Sequence, residues 1–310
     1  ADGRFRVTNT SVVSFHLFGS WTREQGAETV RPGHALALDY SYSTRSVNLD
    51  IGYQDISPDF QVDTGFVYRT GLRRLALFGM YTFYPDSKFF QKIEPFYWSY
   101  HLYDTIDRMF QTTNLFTLRF QLPRSTIFRL DFILANEVYA GGRFGRNQLG
   151  FNFKSQIAKS LYLYAFWRYG GAIYYDPEAP YQGYGNRAEA EVTFQPTENL
   201  NFDLRFTYSD FYRESNKEKI YDYAILRSRS TYQLNKYLFL RAIFEYNTYR
   251  KRLSADFLAS FTYIPGTVIY VGYGSAFQKV EWDGQDYVES GRYLETRRGF
   301  FFKVSYLWRY

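Results

Sequence analysis

Charged side chains that could line a polar passage recur along the chain between apolar residues. In the segment NLNFDLRFTYSD, for example, Asp203 and Arg205 alternate with leucine and phenylalanine. Ionised groups of both signs can filter solutes or pair across neighbouring strands. Ion pairs that solvate a wall are the plainer interpretation, and a charged filter is the functional one. The residues predicted to line a lumen are Asp50, Arg119, Arg129, Asp131, Lys154, Arg168, Glu189, Glu191, Asp203, Arg205, Arg227, Arg229, Arg241, Glu245, Asp256 and Lys303.

Groups that could catalyse a reaction are sparse. The chain contains no cysteine, and its three histidines are His16, His34 and His101. His101 with Asp104 and Asp107 is the best candidate for a hydrolase or metal site at a loop mouth, but no nucleophile motif such as G-x-S-x-G accompanies it. The sequence therefore predicts no enzyme, no cofactor and no metal site, and a barrel hydrolase remains as the alternative.

The segments that must position these charges contain apolar and polar residues that alternate with a period of two. Aromatic residues make up 22% of the chain, with 32 Tyr and 31 Phe, and they favour pleated, half-buried surfaces. Segments such as 200–209 and 238–247 place large apolar side chains on one face and polar ones on the other. About sixteen such segments, most of them roughly ten residues or longer, match strands that cross a bilayer at a tilt. The apolar face would then point to lipid.

Connections between these segments alternate in length. Short turns on one side and long loops on the other are typical of outer-membrane barrels. Short connections fall at 43–46, 122–125, 156–160, 195–199, 233–237 and 263–267, and long ones at 22–33, 55–73, 103–111, 140–147, 170–186, 213–220 and 279–296. We therefore predict one all-β domain over 1–310, a transmembrane antiparallel up-and-down barrel with short periplasmic turns and long extracellular loops. Residues 1–9 are predicted to be a periplasmic lead-in to a first strand at 10–21.

Other classes of protein fit the composition less well. No stretch approaches about 18 consecutive apolar residues, which excludes a transmembrane helix. The net charge is +6 without a long Lys/Arg run, so nucleic acid is not an expected partner. A soluble β-sandwich or propeller is the remaining alternative, but its closed interior could not hold the large aromatic faces of so many strands.

The chain ends in FFKVSYLWRY, in which large apolar side chains recur at every second position up to the last residue. Phe302, Val304, Tyr306, Trp308 and Tyr310 fall on one face. Because every backbone polar group in lipid must be paired, the last strand is expected to close on the first. The segment resembles the C-terminal signal of bacterial outer-membrane proteins, which implies recognition by the outer-membrane insertion machinery.

Several aromatic rings near the ends of the predicted strands are suited to the membrane interface. The rings predicted to form these girdles are Tyr97, Trp98, Tyr100, Tyr162, Tyr164, Trp167, Tyr169, Trp308 and Tyr310.

The stretch YQDISPDFQVDTGFVYRTG, at 53–71, is unlike the strands. Its phenylalanines are anchors that a fully solvated loop would not need, so a gate or plug that folds into the lumen is one prediction. A surface loop packed on its neighbours is the alternative. The residues assigned to the gate are Asp59, Phe60, Asp63, Gly65, Phe66 and Arg69.

A resemblance to a family rests on part of this stretch, namely Asp59, Phe60, Gly65, Phe66, Val67 and Arg69. The segment resembles part of a family of Bacteroidetes-type outer-membrane proteins in which a carbohydrate-binding family-9-like domain precedes a C-terminal barrel of unknown function. The resemblance implies the barrel fold and transfers no catalytic residue.

Taken together, the sequence predicts a protein of the bacterial outer membrane, in contact with membrane lipid and lipopolysaccharide. The simplest function is a porin-like channel for small solutes or for a partner segment. A structural anchor or sheath for a partner protein or surface domain, with a plugged lumen, is the first alternative.

Overall fold

The computed structural model describes residues 1–23, 26, 28–63 and 65–308 and forms one antiparallel sheet of eighteen strands. No helix within these ranges is long and apolar enough to cross a membrane. The strands are β1 (Asp2–Thr8), β2 (Ser11–Thr22), β3 (Arg31–Ser43), β4 (Val47–Ile56), β5 (Leu72–Tyr81), β6 (Lys92–Asp104), β7 (Met109–Leu122), β8 (Thr126–Tyr139), β9 (Gly142–Gly145), β10 (Gln148–Ala158), β11 (Leu161–Tyr174), β12 (Tyr181–Thr197), β13 (Leu200–Arg213), β14 (Lys219–Gln233), β15 (Leu238–Asn247), β16 (Arg252–Ile264), β17 (Thr267–Trp282) and β18 (Tyr287–Ser305).

Apart from β9 and β10, each strand pairs with the next along the chain, as an up-and-down barrel requires. The count exceeds the predicted number of about sixteen for two reasons. Residues 2–8, expected to be a lead-in, form β1 and pair with β2. In addition, β9 and β10 both pair with β8, so they are one strand interrupted at 146–147.

The two sides of the barrel have different connections, as predicted. One side carries tight turns such as 159–160, 198–199 and 265–266, and the other carries the longer connections. Most of these are shorter than expected, because strands extend into them. Residues 279–296, for example, mostly belong to β17 and β18, and 140–147 contains a tight hairpin. The segment 57–71 remains long, and the unpredicted connection 82–91 lies on the tight-turn side.

The registers divide the sheet into an apolar and a polar face. Leu204, Phe206 and Phe244 lie on one face and are 44%, 39% and 44% exposed. Such large exposed apolar side chains are stable only against lipid, so this is the outer face. The opposite face therefore lines the lumen. This orientation corrects part of the girdle prediction, because Trp98, Tyr100, Tyr162 and Tyr164 lie on the inner face; Tyr97, Trp167 and Tyr169 lie on the outer one.

The C-terminal strand stops earlier than the alternation predicts. β18 ends at Ser305, with Phe302 and Val304 exposed on its outer face. Tyr306 and Trp308 follow the strand and are 63% and 68% exposed, and Tyr310 lies outside the described residues. The residue registers join β18 to β17, and its closure on the first strands remains a prediction.

Candidate functional site: the charged inner wall

All the residues predicted to line the lumen fall on the inner face by register. A row that crosses four strands illustrates the pattern: Glu191 lies opposite Arg205, Arg205 opposite Arg227, and Arg227 opposite Glu245. The neighbouring row places Thr193 opposite Asp203 and Asp203 opposite Arg229. Period-two alternation puts every second side chain on one face, and the registers then stack these charges side by side.

Ion pairs hold most of these charges, as the plainer interpretation of the sequence expected; four of the pairs cross between strands, whereas Arg129–Asp131 lies within β8 and Arg187–Glu189 within β12. The nitrogen–oxygen distances are 2.7 Å for Arg119–Glu94, 2.9 Å for Arg129–Asp131, 2.8 Å for Arg187–Glu189, 2.5 Å for Arg205–Glu191, 2.7 Å for Arg229–Asp203 and 3.6 Å for Arg227–Glu245. Glu94 and Asp131 are almost fully buried, and each accepts a further hydrogen bond, from Gln121 Nε2 and Thr117 Oγ1 respectively. Ion pairs therefore cross-link β6 to β7 and the strands from β12 to β15 on the inner wall.

Two of these partners were missed in the sequence. Arg187 shares the period of Glu189 and Glu191, so the alternation itself could have identified it. Glu94 shares its face of β6 with Phe96 and Trp98, and the pattern of these aromatic neighbours indicates a lipid-facing side. Only the register with Arg119 shows that it faces the lumen.

Arginines also face one another across the strands, which ion pairing does not require. Arg119 is directly opposite Arg129, and the same holds for Arg168 with Arg187 and for Arg205 with Arg227. Like charges in directly opposed positions destabilise a sheet. The wall therefore concentrates guanidinium groups in adjacent positions more than its stability favours.

Water reaches the guanidinium groups on one side of the barrel. The side chains of Arg187 and Arg205 are 66% and 62% exposed, and those of Arg227 and Arg229 are each 50% exposed. These guanidinium groups are therefore solvent-accessible on the face that lines the lumen. Two small depressions in this wall are lined almost entirely by charged or polar side chains.

The 57–71 segment lies against the opposite part of the inner wall. Phe60 is 8% exposed and packs with Ile56, Leu72 and Leu102. A Cβ on Gly33 would lie 2.4 Å from the Phe60 Cα, so the glycine permits the loop backbone to approach β3. Arg69 forms an ion pair with the buried Asp104 at the end of β6.

The other residues assigned to the gate are arranged differently. Phe66 is 87% exposed, so it does not anchor the segment. Asp59 and Asp63 are exposed, and the one side-chain hydrogen bond found for Asp63 comes from Gln61 Nε2 at 2.9 Å. Gly65 lines a cavity of about 650 Å³ between the segment and the wall, which Phe18 and Tyr100 also line. The loop therefore covers part of the wall through the buried Phe60 ring and the Arg69–Asp104 ion pair.

The geometry does not assemble the catalytic set considered from the sequence. His101 lies on the outer face, and its Nε2 is 2.7 Å from Ser99 Oγ. Asp104 lies on the inner face and accepts hydrogen bonds from the backbone N–H groups of Ile106 and Asp107. Ser99 is fully buried, and no carboxylate in the described part of the chain pairs with His101. Within that part, no cluster of three or more His, Cys, Asp or Glu side chains could hold a metal ion.

Comparison with known proteins supports the fold. No known family matches the sequence, and no curated protein does either. The structure is similar to the copper transporter OprC, with 10% identity and a TM-score of 0.58, over 97% of this chain and 63% of that one. Similarity to the outer-membrane channel DcaP of Acinetobacter baumannii is weaker: identity is 9%, the TM-score is 0.43, and 97% and 99% of the two chains are covered.

The resemblance to OprC concerns the fold alone, at this identity, and the chain spans less than two thirds of that structure. The fold and the apolar outer face identify an outer-membrane β-barrel, as the sequence predicted. The resemblance to the Bacteroidetes-type family remains a prediction.

Proposed function

We propose that the protein is a porin-like channel that carries small solutes through its lumen. The observation that supports this function best is the exposure of the arginines on β12–β14, whose side chains are half to two thirds accessible. In a barrel filled by protein these groups would be buried in fully paired networks. Barrels of about 16–18 strands are wide enough to leave an aqueous channel.

The charges on the wall would act on a solute through two mechanisms. Their field sets the local concentration of ions of each sign, and the guanidinium groups supply hydrogen-bond donors along the path. The carboxylates of Glu191, Asp203 and Glu245 hold Arg205, Arg229 and Arg227 in place across the strands. A wall of this kind passes hydrated polar solutes and discriminates between them by charge.

The second candidate is an anchor for a partner protein, with a partly plugged lumen. The packing of Phe60 on Ile56, Leu72 and Leu102 favours this candidate, because it fixes the 57–71 segment on the inner wall. The segment contacts β2 as well, since the Gln61 N–H donates to Ser20 Oγ at 3.1 Å. Lipopolysaccharide, the insertion machinery and a partner segment are further expected contacts of such a barrel.

Single-channel recording in planar bilayers separates the two candidates. For the channel we expect discrete, ohmic current steps from the wild-type protein and larger steps after deletion of residues 59–69. A wild-type protein that is folded, as judged by heat-modifiable gel migration, but electrically silent would refute the channel. Current that appears only in the deletion variant would favour the anchor with its plug.

A further inference from the structure

A cavity of about 650 Å³ lies between the 57–71 segment and the inner wall. Its wall side is built from two rows of inward-facing residues on β2 to β5. The row nearer the segment is apolar: Phe18 lies opposite Ala35, Ala35 opposite Ile56, and Ile56 opposite Leu72. The wall side chains of this part of the cavity therefore offer water no hydrogen-bond partner.

The second row lies two residues further along each strand and contains polar groups. His16 lies opposite Ala37, Ala37 opposite Gln54, and Gln54 opposite Arg74. All four residues line the same cavity. The cavity therefore combines an apolar part beneath the loop with a cationic, hydrogen-bonding part next to it.

Arg74 has no partner for its charge in the described part of the chain. No carboxylate there lies within 4.0 Å of its guanidinium group, and its direct neighbours across the sheet are uncharged. Asp55 and Asp104, at the same end of these strands, pair with Arg73 and Arg69 respectively. The donors of Arg74 are therefore available to a ligand in the cavity.

Other inner-face arginines also lack an ion-pair partner, but their surroundings differ. Arg252 borders a small depression whose lining includes the carboxylates of Glu245 and Asp256. Arg241 lies outside the cavity beneath the loop. Arg74 is thus distinguished by the enclosed apolar surface beside it, and not by its lack of a partner alone.

We propose that this cavity binds a small apolar carboxylate, with its apolar body beneath the loop and its carboxylate on Arg74 and Gln54. A guanidinium group and a carboxylate form two parallel hydrogen bonds, and the apolar body removes apolar surface from water. The volume falls in the range of about 300–1,000 Å³ that is typical of small-molecule sites. The rings of Phe66 and Tyr68 border the cavity and are 87% and 91% exposed, so such a ligand would also give them an apolar surface to contact.

The two parts of the cavity disfavour simpler ligands. Acetate would pair with Arg74 but leave the apolar part in water, and an uncharged aromatic molecule would leave Arg74 unpaired. Binding itself does not depend on conduction, whereas a role in transport would rest on the proposed channel. The site is therefore tested without a membrane current.

Binding is measured by calorimetric titration of the detergent-folded protein with phenylacetate at constant ionic strength, after subtraction of a titration into detergent alone. Phenylacetamide, an uncharged analogue of similar shape, and acetate, which lacks the ring, are titrated in the same way. Phenylacetate is expected to bind at least about tenfold more tightly than either, which corresponds to about 1.4 kcal/mol.

Arg74→Gln is expected to weaken phenylacetate binding at least about tenfold. Arg74→Lys should weaken it less, because lysine keeps the charge but not the planar fork of donors. The matched control is Arg241→Gln, which removes another inner-face arginine without an ion-pair partner, opposite Thr231 and Leu258, and should leave the affinity unchanged. Heat-modifiable migration verifies that each variant is folded.

Absence of phenylacetate binding by the wild-type protein would overturn the site, and so would an equal affinity for phenylacetamide. An equal loss in Arg74→Gln and Arg241→Gln would also overturn it, because diffuse lumenal charge would then account for the binding. A protein that is silent in bilayers but binds phenylacetate through Arg74 would refute the channel and leave the site standing.

Discussion

Two parts of the inner wall differ. On β2 to β6, near the long connections, an apolar patch is covered by the 57–71 segment, whereas on β11 to β15 the wall carries charged, solvent-accessible side chains. Phe60 and Leu102 are buried in the first region. Arg187 and Arg205 are mostly exposed in the second. The outer faces of both regions, by contrast, are similarly apolar, with Leu38 at 50% and Leu204 at 44% exposure.

This difference shows which constraints act on each face. Lipid imposes the same chemistry on the whole outer face, so the two regions cannot diverge there. The lumen imposes no such uniformity, because an inner side chain can meet water, a partner charge or a covering loop. The predictions that follow test the comparison, beginning with the largest expected effect.

Replacement of the outward-facing Leu204 by arginine should destabilise the barrel by about 2–4 kcal/mol if the residue lies near the bilayer midplane. Leu38→Arg on the other region should cost a similar amount, because both side chains meet lipid. Denaturant-dependent refolding into lipid vesicles measures the effect. The control is Thr207→Arg, which faces the lumen on the same strand as Leu204 and should cost much less. Equal destabilisation by all three variants would contradict the assignment of the faces.

Phe60→Ala should release the loop from the apolar region. Truncation of a well-buried phenylalanine costs about 3–5 kcal/mol, and here the loss falls mainly on the attachment of the loop. Limited proteolysis within 57–71 should therefore become much faster while the barrel keeps its heat-modifiable migration. Phe66→Ala, which changes an exposed ring, serves as the control. If both variants are cleaved at the wild-type rate, Phe60 does not anchor the loop.

Arg205→Gln tests the charged region, where we expect the substitution to change ion selectivity but hardly to change stability. Exposed ion pairs contribute roughly 0–1 kcal/mol, so the loss of the 2.5 Å contact with Glu191 should hardly change the unfolding midpoint. In the proposed channel, the reversal potential in a salt gradient should shift towards cation preference, because a lumenal positive charge is lost. The opposite shift is expected for Glu191→Gln. A large loss of stability in either variant would mean that the wall depends on this pair.

The smallest effect concerns the 175–180 loop above the charged region. Backbone N–H groups of Glu178 and Ala179 donate to Asp176 Oδ1 and lower the pKa of this carboxyl below its ordinary value of 3.8. Their stabilisation of the loop is full above that ordinary value and is lost as the pH falls through the lowered pKa.

Amide hydrogen exchange, corrected for the intrinsic rate at each pH, should show this loop loosening in acid, whereas the Phe60 contact should not respond. Asp176→Ala should remove the pH dependence. If the amides of Phe60 and Gln61, which donate to Ser57 O and Ser20 Oγ, became exposed to exchange equally in acid, the two loops would not differ in how they are held.

Much of the fold could be predicted from local pattern. Period-two alternation fixes which side chains share a face of a strand, and this was sufficient to place Asp203, Arg205 and Arg229 on the inner wall. Where both faces are aromatic the pattern is ambiguous. Tyr162 and Tyr164 were therefore assigned to the membrane girdle although they face the lumen, and Glu94 was overlooked.

The sequence by itself determined the barrel class, the apolar outer face and most of the inner charges, because each depends on alternation within a single strand. Tertiary structure alone decided which charges meet. The position of Arg168 directly opposite Arg187 depends on register between strands, which is set by turns and by neighbouring strands far along the chain. The burial of Phe60 and the exposure of Phe66 were decided in the same way, because a loop ring is buried only where the folded wall leaves a place for it.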